Sequence, residues 1–401
     1  MRESGKGSMG PWIGRLRPLL AAGAIAMALA ACGGGGSGPQ GPRVALATPT
    51  PMAGVDNVMA VAVNAGPYGG SVDQVFTSLT LCPPASGACQ TIPGILLDTG
   101  SFGLRLFSQV VSVPLPAQTA AGGEVGECAA FAGGSVAWGP VVSASITMGT
   151  EPGVTVPVQI MAASSFAPAP SNCADMGRLF STPQSARFNG ILGVGLFPTD
   201  HGAGLYYSCN AGNCTPFADT PAQDLVNPVA ALPVDNNGLI VELPAVGAMG
   251  AASAAGAIVF GIGTAPNNAL GSATVFTANS VGNFTTVFNG RALASSFIDS
   301  GSDGLFFADS SIPACGGGGA FFCPGATLAL SAQNLGSNGA TGTVNFQIAN
   351  ASKLFATGNT AFDNLGGAFR PASFDWGVPF FFGRDVYIGL QTPGSPPFWA
   401  Y

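Results

Sequence analysis

Two short acidic motifs supply the chemistry that this sequence can offer. They are Asp98-Thr99-Gly100-Ser101 and Asp299-Ser300-Gly301-Ser302, each preceded by an apolar run and followed by a Gly-Leu pair. Two carboxyl groups brought close together cannot both ionise easily, so they share a proton. One can then act as a base towards water while the other acts as an acid towards a carbonyl. The motifs therefore indicate a hydrolytic site, provided that the fold brings them together.

A single motif of this kind is usually a turn, because Asp and Gly are favoured in turns for local reasons. Here a second related element follows each motif in the same order: Phe188-Asn-Gly-Ile-Leu-Gly193 after the first and Phe374-Asp-Trp-Gly377 after the second. Glycine at the end of such a segment allows two backbones to approach closely. The repetition indicates two related halves rather than two unrelated turns.

With these motifs, the chain resembles the pepsin-like, two-lobed aspartic peptidases over roughly residues 57–390. Within that fold it looks like an uncharacterised family of bacterial putative lipoproteins. The resemblance implies an all-β, pepsin-like bilobal acid-protease fold with a cleft between two related lobes. It also implies a peptide or protein substrate and no cofactor.

The same resemblance implies a role for each residue of the two motifs. Asp98 and Asp299 match the catalytic pair of the family. Thr99 and Ser300 match hydroxyls that brace the two loops against each other. Gly100 and Gly301 match glycines that form the turn. Ser101 and Ser302 match hydroxyls that bond the outer carboxylate oxygens.

The stretch that would form the flap over the cleft departs from the family. It runs from about Phe131 to Met148 and lacks the tyrosine that closes on substrate in the family. Phe131 or Trp138 could close the cleft instead, although aromatic residues as often simply fill cores; of the two, Trp138 alone could donate a hydrogen bond. Arg105 replaces the tryptophan that partners the flap tyrosine. A catalytically weak or inactive binding module for a peptide, glycan or envelope protein is therefore the alternative.

The N-terminus predicts export and a lipid anchor. Arg15 and Arg17 precede an apolar run, 18–31, that is too short to span a bilayer and fits a signal peptide. The run ends in Leu29-Ala-Ala-Cys32, which resembles the bacterial lipoprotein cleavage box. We expect lipidation of Cys32 and anchoring in the bacterial cell envelope, at the outer membrane; an ordinary secretory signal is the alternative.

Nine cysteines agree with an oxidising compartment, because removal of Cys32 leaves an even number. Spacing suggests three short disulfides and leaves a fourth: Cys82–Cys89, Cys209–Cys214, Cys315–Cys323, and Cys128–Cys173. Eight cysteines allow about 105 pairings, so other connectivities stay open. With one histidine, His201, and no Cys-x-x-Cys, the sequence has no zinc-ligand pattern, and we predict no metal. A serine hydrolase using His201 is disfavoured, because no Gly-x-Ser-x-Gly elbow occurs.

Composition fits a β protein that does not bind nucleic acid. Charged residues make up 8% of the chain and the formal net charge is −7, which disfavours nucleic acid and anionic lipid surfaces as partners. Short apolar runs bounded by Gly, Pro, Asn or Ser predict strands, as at 75–81, 94–97, 154–160 and 257–262. Helical patterns are scarce, and the best candidate, 222–232, is interrupted by Pro228.

Four segments follow from these patterns. We predict a lipoprotein signal peptide at 1–31, a flexible Gly/Pro-rich tether at 32–55, an N-terminal lobe at 56–234 and a C-terminal lobe at 235–401. Because one chain holds both motifs, no second subunit is needed to pair them, and we expect a monomer. The active site should lie between the lobes, where ligand sites commonly form.

Overall fold

The computed structural model describes residues 57–84, 87–200, 204–218, 223–316 and 320–401. The predicted signal peptide, the tether, the lipidation site at Cys32 and His201 lie outside these ranges, so what was predicted for them stays a prediction. Within the described ranges, no helix is both long enough and apolar enough to cross a membrane.

Strands dominate the structure, as expected for short apolar runs separated by turn residues. The strands of the first half are β1 Val58–Val63, β2 Val75–Cys82, β3 Gln90–Asp98, β4 Phe102–Phe107, β5 Thr119–Ala120, β6 Gly123–Ala130, β7 Ser135–Met148, β8 Val154–Met161, β9 Arg178–Leu179, β10 Gly190–Val194, β11 Gly204–Asn210 and β12 Asn213–Pro216. Those of the second half are β13 Gly238–Leu243, β14 Ala254–Phe260, β15 Val275–Thr277, β16 Phe284–Phe288, β17 Arg291–Ile298, β18 Leu305–Phe307, β19 Leu328–Leu335, β20 Thr341–Ile348, β21 Gly366–Ala368, β22 Phe374–Trp376, β23 Arg384–Gly389 and β24 Phe398–Ala400.

Helices are few and short. They are α1 Ser171–Ala174, α2 Pro183–Ala186 and α3 Ala351–Phe355, with 3₁₀ turns at Ser108–Val110 and Val378–Phe380. The segment 223–232, considered as a helix from the sequence, forms turns instead. The side chain of Asn227 accepts the backbone N–H of Val229 at 3.1 Å, a local bond that favours a turn over a helix.

Each acidic motif lies in the same local arrangement of strands. In the first half, β3 runs parallel to β10, β10 antiparallel to β4, and β4 parallel to β8. In the second half, β17 runs parallel to β22, β22 antiparallel to β18, and β18 parallel to β21. An antiparallel hairpin, β2–β3 or β16–β17, leads into each motif. The prediction of an all-β fold with two related lobes around a cleft is confirmed.

A shared sheet joins the two halves of the chain. Strand β1 pairs along its whole length with β14, and β14 pairs with β13. The sheet continues through β23 and β24 to β15. Because β1 belongs to the first half, this pairing makes backbone hydrogen bonds between the two halves. The lobe boundaries at 56, 234 and 401 stay predictions.

Aromatic packing fixes the strand behind the second motif. The ring of Phe374 stacks on Trp376 with centroids 3.9 Å apart and on Phe307 at 4.7 Å. Alternate side chains of a strand face opposite sides. Since Phe374 and Trp376 both face this aromatic core, Asp375 between them faces the cleft.

Four disulfides join the cysteine pairs that the spacing suggested: Cys82–Cys89, Cys128–Cys173, Cys209–Cys214 and Cys315–Cys323. Cys128–Cys173 is the one with a long sequence separation, 45 residues. It ties β6 to α1, and so secures the hairpin β6–β7 that rises over the cleft.

Candidate active site

Both acidic motifs open into one cleft. Its volume is about 780 Å³, and its lining includes Asp98 and Asp299 together with residues from both halves of the chain. Each aspartate lies where a strand ends in a tight turn: Asp98 is the last residue of β3, and Asp299 directly follows β17. The structure thus places the two predicted carboxyls (the dyad) in one site.

Two hydroxyls brace the motifs against each other by hydrogen bonds that cross between the halves. The Thr99 hydroxyl donates to the Ile298 carbonyl at 3.0 Å and accepts the Ser300 N–H at 2.9 Å. The Ser300 hydroxyl donates to the Leu97 carbonyl at 2.8 Å and accepts the Thr99 N–H at 3.1 Å. Both residues are buried, with exposed fractions of 2% and 0%. The four bonds satisfy every polar atom that they involve and fix the distance between the turns.

Each carboxylate is held by its own motif in the same way. The Gly100 N–H donates to Oδ1 of Asp98 at 2.8 Å, and the Ser101 hydroxyl donates to Oδ2 at 2.6 Å. In the second motif, Gly301 N–H lies 2.8 Å from Oδ1 of Asp299. Oδ1 is therefore the inner oxygen of each carboxyl and Oδ2 the outer one.

The two glycines bring the carboxyls into contact. A methyl group on Gly100 would lie 2.7 Å from Cγ of Asp299, and one on Gly301 would lie 2.8 Å from Oδ1 of Asp98. Neither space admits a side chain larger than hydrogen. A third glycine, Gly193 of β10, packs so closely on the first turn that its Cβ would lie 2.6 Å from the Phe102 nitrogen.

Close contact perturbs the acidity of the site. Burial raises the pKa of Asp299 well above the ordinary value of 3.8, and the neighbouring charges of Asp98 and Asp375 raise it further. Burial also raises the pKa of Asp303, the residue that follows the second motif, to about 6. The site therefore retains protons at a pH where isolated carboxyls have lost them.

A third carboxyl adjoins the dyad. Oδ2 of Asp375 lies 2.7 Å from the Ser302 hydroxyl, which also lies 3.1 Å from Oδ2 of Asp299. Asp375 is 2% exposed, and burial raises its pKa well above the ordinary value. Asp375 lies within the motif Phe374-Asp-Trp-Gly377, but the sequence alone predicted no role for it. One sequence signal does point to Asp375. Strand β22 contains a carboxyl, whereas the equivalent strand of the first half, β10, is apolar.

The two flap candidates lie in different environments. Phe131 forms the turn between β6 and β7 and lines the cleft. Trp138, on strand β7 of the hairpin, is buried against Phe166 and Tyr207, and its indole N–H donates to the Ala167 carbonyl at 2.8 Å. Its one donor is therefore used inside the lobe, and Trp138 is not among the residues that line the cleft.

Arg105 fastens the hairpin to the wall of the cleft. Its guanidinium donates to Glu127 of β6, to Asp200 at 3.3 Å and to the Phe102 carbonyl at 2.6 Å. It also lies 5.8 Å from the ring centroid of Phe131. Arg105 thus contacts the hairpin through a buried ion pair and a cation–π contact. Sequence reasoning identified the replacement of tryptophan by Arg105 but not its partners Glu127 and Asp200, which lie far away in the sequence.

Within the part of the chain that the structure describes, no group of three or more His, Cys, Asp or Glu side chains is arranged to hold a metal ion. The carboxyls of the two motifs instead accept hydrogen bonds from hydroxyls and backbone N–H groups.

The brace generates a first prediction. Substitution of Thr99 by Val should lower the free energy of unfolding by about 2–4 kcal/mol, because the Ser300 N–H and the Ile298 carbonyl would be buried without partners. Thr99→Ser, which keeps the hydroxyl and removes a methyl, should cost only about 1 kcal/mol. Urea denaturation of the full-length protein measures both, and equal stability of the two variants would contradict the role of the hydroxyl.

A second prediction concerns the buried ion pair. Arg105→Met should cost about 3–5 kcal/mol at pH 8, because Glu127 and Asp200 lose their buried cation. Burial already raises the pKa of Glu127 to about 8 although Arg105 opposes the rise. Without Arg105 that pKa rises further, so the folded state keeps a proton that the unfolded state has lost. Stability must then fall as pH rises above the ordinary value of 4.5.

The cost of Arg105→Met should accordingly be smaller at pH 5 than at about pH 9.5 in thermal or urea denaturation, because the wild type itself binds the Glu127 proton below about pH 8 and loses it above that value. Adding Glu127→Gln to Arg105→Met removes the unpaired charge and should recover part of the stability at the higher pH. A cost that is the same at both pH values would argue against a charge effect and for packing alone.

Similarity to known proteins locates the chain in a family without assigning it an activity. No curated protein is significantly similar to the sequence. A family model described as a protein of unknown function, DUF3443, matches residues 53–401. The match takes in both acidic motifs, the hairpin and the four disulfides, and so covers every part of the site described above. The chain is therefore a member of the DUF3443 family.

Proposed function

We propose that the protein is an aspartic endopeptidase that hydrolyses peptide bonds with a water held between Asp98 and Asp299. The observation that carries the proposal is that the crossed hydrogen bonds of Thr99 and Ser300 hold each carboxyl against the glycine of the opposite motif. Two acids held in contact without a cation between them must share a proton, which supplies an acid and a base at once.

In the proposed reaction, the water oxygen attacks the carbonyl carbon of the scissile peptide. One proton of that water passes to the ionised carboxylate of the dyad, while the protonated carboxyl gives its proton to the carbonyl oxygen. The resulting gem-diol collapses when the C–N bond breaks: the amine nitrogen takes a proton from the dyad, and one gem-diol hydroxyl returns a proton to the dyad as the carboxylic acid forms. No atom beyond water and the two carboxyls is consumed, and the pair returns to its starting charge.

The walls of the cleft suit an extended chain with apolar side chains. Aromatic rings from both halves line it: Phe102, Phe131, Phe180, Phe188, Phe197, Phe297, Phe306, Phe369 and Trp399. The hairpin β6–β7 carries Phe131 over one side, so a bound peptide would be covered by a ring rather than by a hydrogen-bonding tyrosine. We propose that Phe131 closes the cleft by packing alone.

A second function, peptide binding without hydrolysis, is favoured by one observation. Phe131 has no hydroxyl, and the indole N–H of Trp138 is already bonded to the Ala167 carbonyl. The hairpin side chains considered for the flap therefore offer no donor to a substrate carbonyl. Such a module would use the same cleft and would not need the shared proton.

Cleavage of a diverse peptide pool between about pH 3 and 7 tests the proposal, with products read by mass spectrometry. The full-length protein should cut, whereas Asp98→Asn and Asp299→Asn should each lose at least about 10³-fold in rate, since neither keeps the acid–base pair. Activity should fall on the alkaline side once the shared proton is lost, at a pH above that of an ordinary carboxyl because the pKa of Asp299 is raised.

Asp309→Asn is the matched control, because it removes one carboxylate of the same half outside the cleft and should cut as the wild type does. If a folded wild-type protein cuts nothing, or if the Asp98→Asn and Asp299→Asn variants cut equally well, the endopeptidase proposal fails. Peptide retention by an inactive wild type would then favour the binding module.

A further inference from the structure

The second half carries a carboxyl at a position where the first half has an apolar side chain. In the parallel pairing of β22 with β17, Asp375 lies opposite the residue two before Asp299. In the equivalent pairing of β10 with β3, Ile191 lies opposite the residue two before Asp98. Asp375 and Ile191 thus hold equivalent places, and both line the cleft. The dyad has a carboxyl on one side and an isoleucine on the other.

The carboxyl of Asp375 changes the hydrogen bonding of Ser302 in the second motif. The Ser302 hydroxyl has one hydrogen, yet its oxygen lies 2.7 Å from Oδ2 of Asp375 and 3.1 Å from Oδ2 of Asp299. If both carboxyls were ionised, one of these contacts would have no hydrogen between its two oxygens. In the first motif, Ser101 donates to Asp98 alone, at 2.6 Å. Both contacts of Ser302 are therefore hydrogen bonds only when Oδ2 of Asp299 or Oδ2 of Asp375 carries a proton.

The surroundings of Asp375 keep a proton available there. Strands β17 and β18 flank β22, and the segment between them brings the acids Asp299 and Asp303 towards it. Asp303 and Asp98 both raise the pKa of Asp375, after the larger effect of burial. Oδ1 of Asp375 is buried and has no hydrogen-bond partner among the described residues. The buried cation of the cleft, Arg105, is already engaged elsewhere, with its two acids and a backbone carbonyl.

We infer that Asp375 is a positioning residue for the dyad, which shares a proton with Asp299 through the Ser302 hydroxyl and makes the site a unit of three carboxyls. Asp98 and Asp299 touch directly, whereas Asp375 reaches Asp299 across a hydroxyl. The repulsion between Asp98 and Asp299 is therefore stronger than the repulsion between Asp375 and Asp299. As pH rises, Asp375 therefore ionises before the dyad loses its last proton. It then takes the hydrogen of Ser302, and its charge opposes ionisation of Asp299.

The consequence is that the dyad keeps its shared proton to a higher pH than Asp98 and Asp299 would alone. The kinetic form of this inference rests on the proposed endopeptidase activity. In Asp375→Asn and Asp375→Ile, the alkaline limb of kcat/KM against pH should move to lower pH by about one unit, which is about a tenfold loss on that limb. Rates near pH 4 should stay within a few-fold of the wild type, and Asp309→Asn should leave the whole profile unchanged.

An NMR titration of the carboxyl groups needs no peptide cleavage, so it tests the inference independently of the proposed function. Full-length protein labelled with [4-¹³C]aspartate reports each carboxyl by NMR, and Asp299→Asn identifies the Asp299 signal. The Asp299 signal should titrate at a lower pH in Asp375→Asn than in the wild type, and the same shift is expected in Asp375→Ile, which places the first-half residue at this position. If Asp375→Ile fails to fold, the near-isosteric Asp375→Asn decides.

An unchanged Asp299 titration, or a shift to higher pH, overturns the inference whether or not the protein cuts peptides. If the wild type cuts no peptide and the Asp299 signal still titrates at a lower pH in the Asp375 variants, the endopeptidase proposal fails. The three-carboxyl unit then stands.

Discussion

The crossed hydrogen bonds of Thr99 and Ser300 are the constraint on which the site depends. Each hydroxyl bonds a backbone carbonyl and a backbone N–H of the other half, so neither turn can move without leaving buried polar groups unpaired. The brace sets the separation of the turns, and Gly100 and Gly301 let the carboxyls close the remaining space. In the proposed function, a shared proton offsets the repulsion between the carboxyls.

The distribution of charge around the cleft follows from that constraint. The acids of the floor have hydroxyl and backbone partners, and the buried cation Arg105 serves the hairpin rather than the dyad. Had Arg105 bonded a dyad carboxyl, it would have favoured full ionisation and removed the shared proton. Arg105 and Phe131 instead lie together, because the Arg105 guanidinium is beside the Phe131 ring in the turn of the hairpin.

The sequence predicted the all-β fold and the strands that lead into the motifs, since apolar runs, turn residues and the repeated Asp-Thr/Ser-Gly-Ser are local patterns. It could not predict the second partner of Ser302 or the partners of Arg105, because Asp375 and Glu127 come to them only through sheet register and packing. Trp138 illustrates the same limit: its aromatic type fitted a flap, and only the fold shows its N–H bonded inside the lobe.

The central claim is that Asp98 and Asp299 hold one proton between them. Neutron diffraction from crystals of the deuterium-exchanged protein at about pH 5, above the ordinary carboxyl values, observes that proton directly. The account predicts one deuteron at the inner oxygens, Oδ1 of Asp98 and of Asp299, with the Thr99 and Ser300 hydroxyl deuterons pointing across to the opposite half. Two carboxylates without a deuteron between them, or carboxyls that have moved apart, would contradict it.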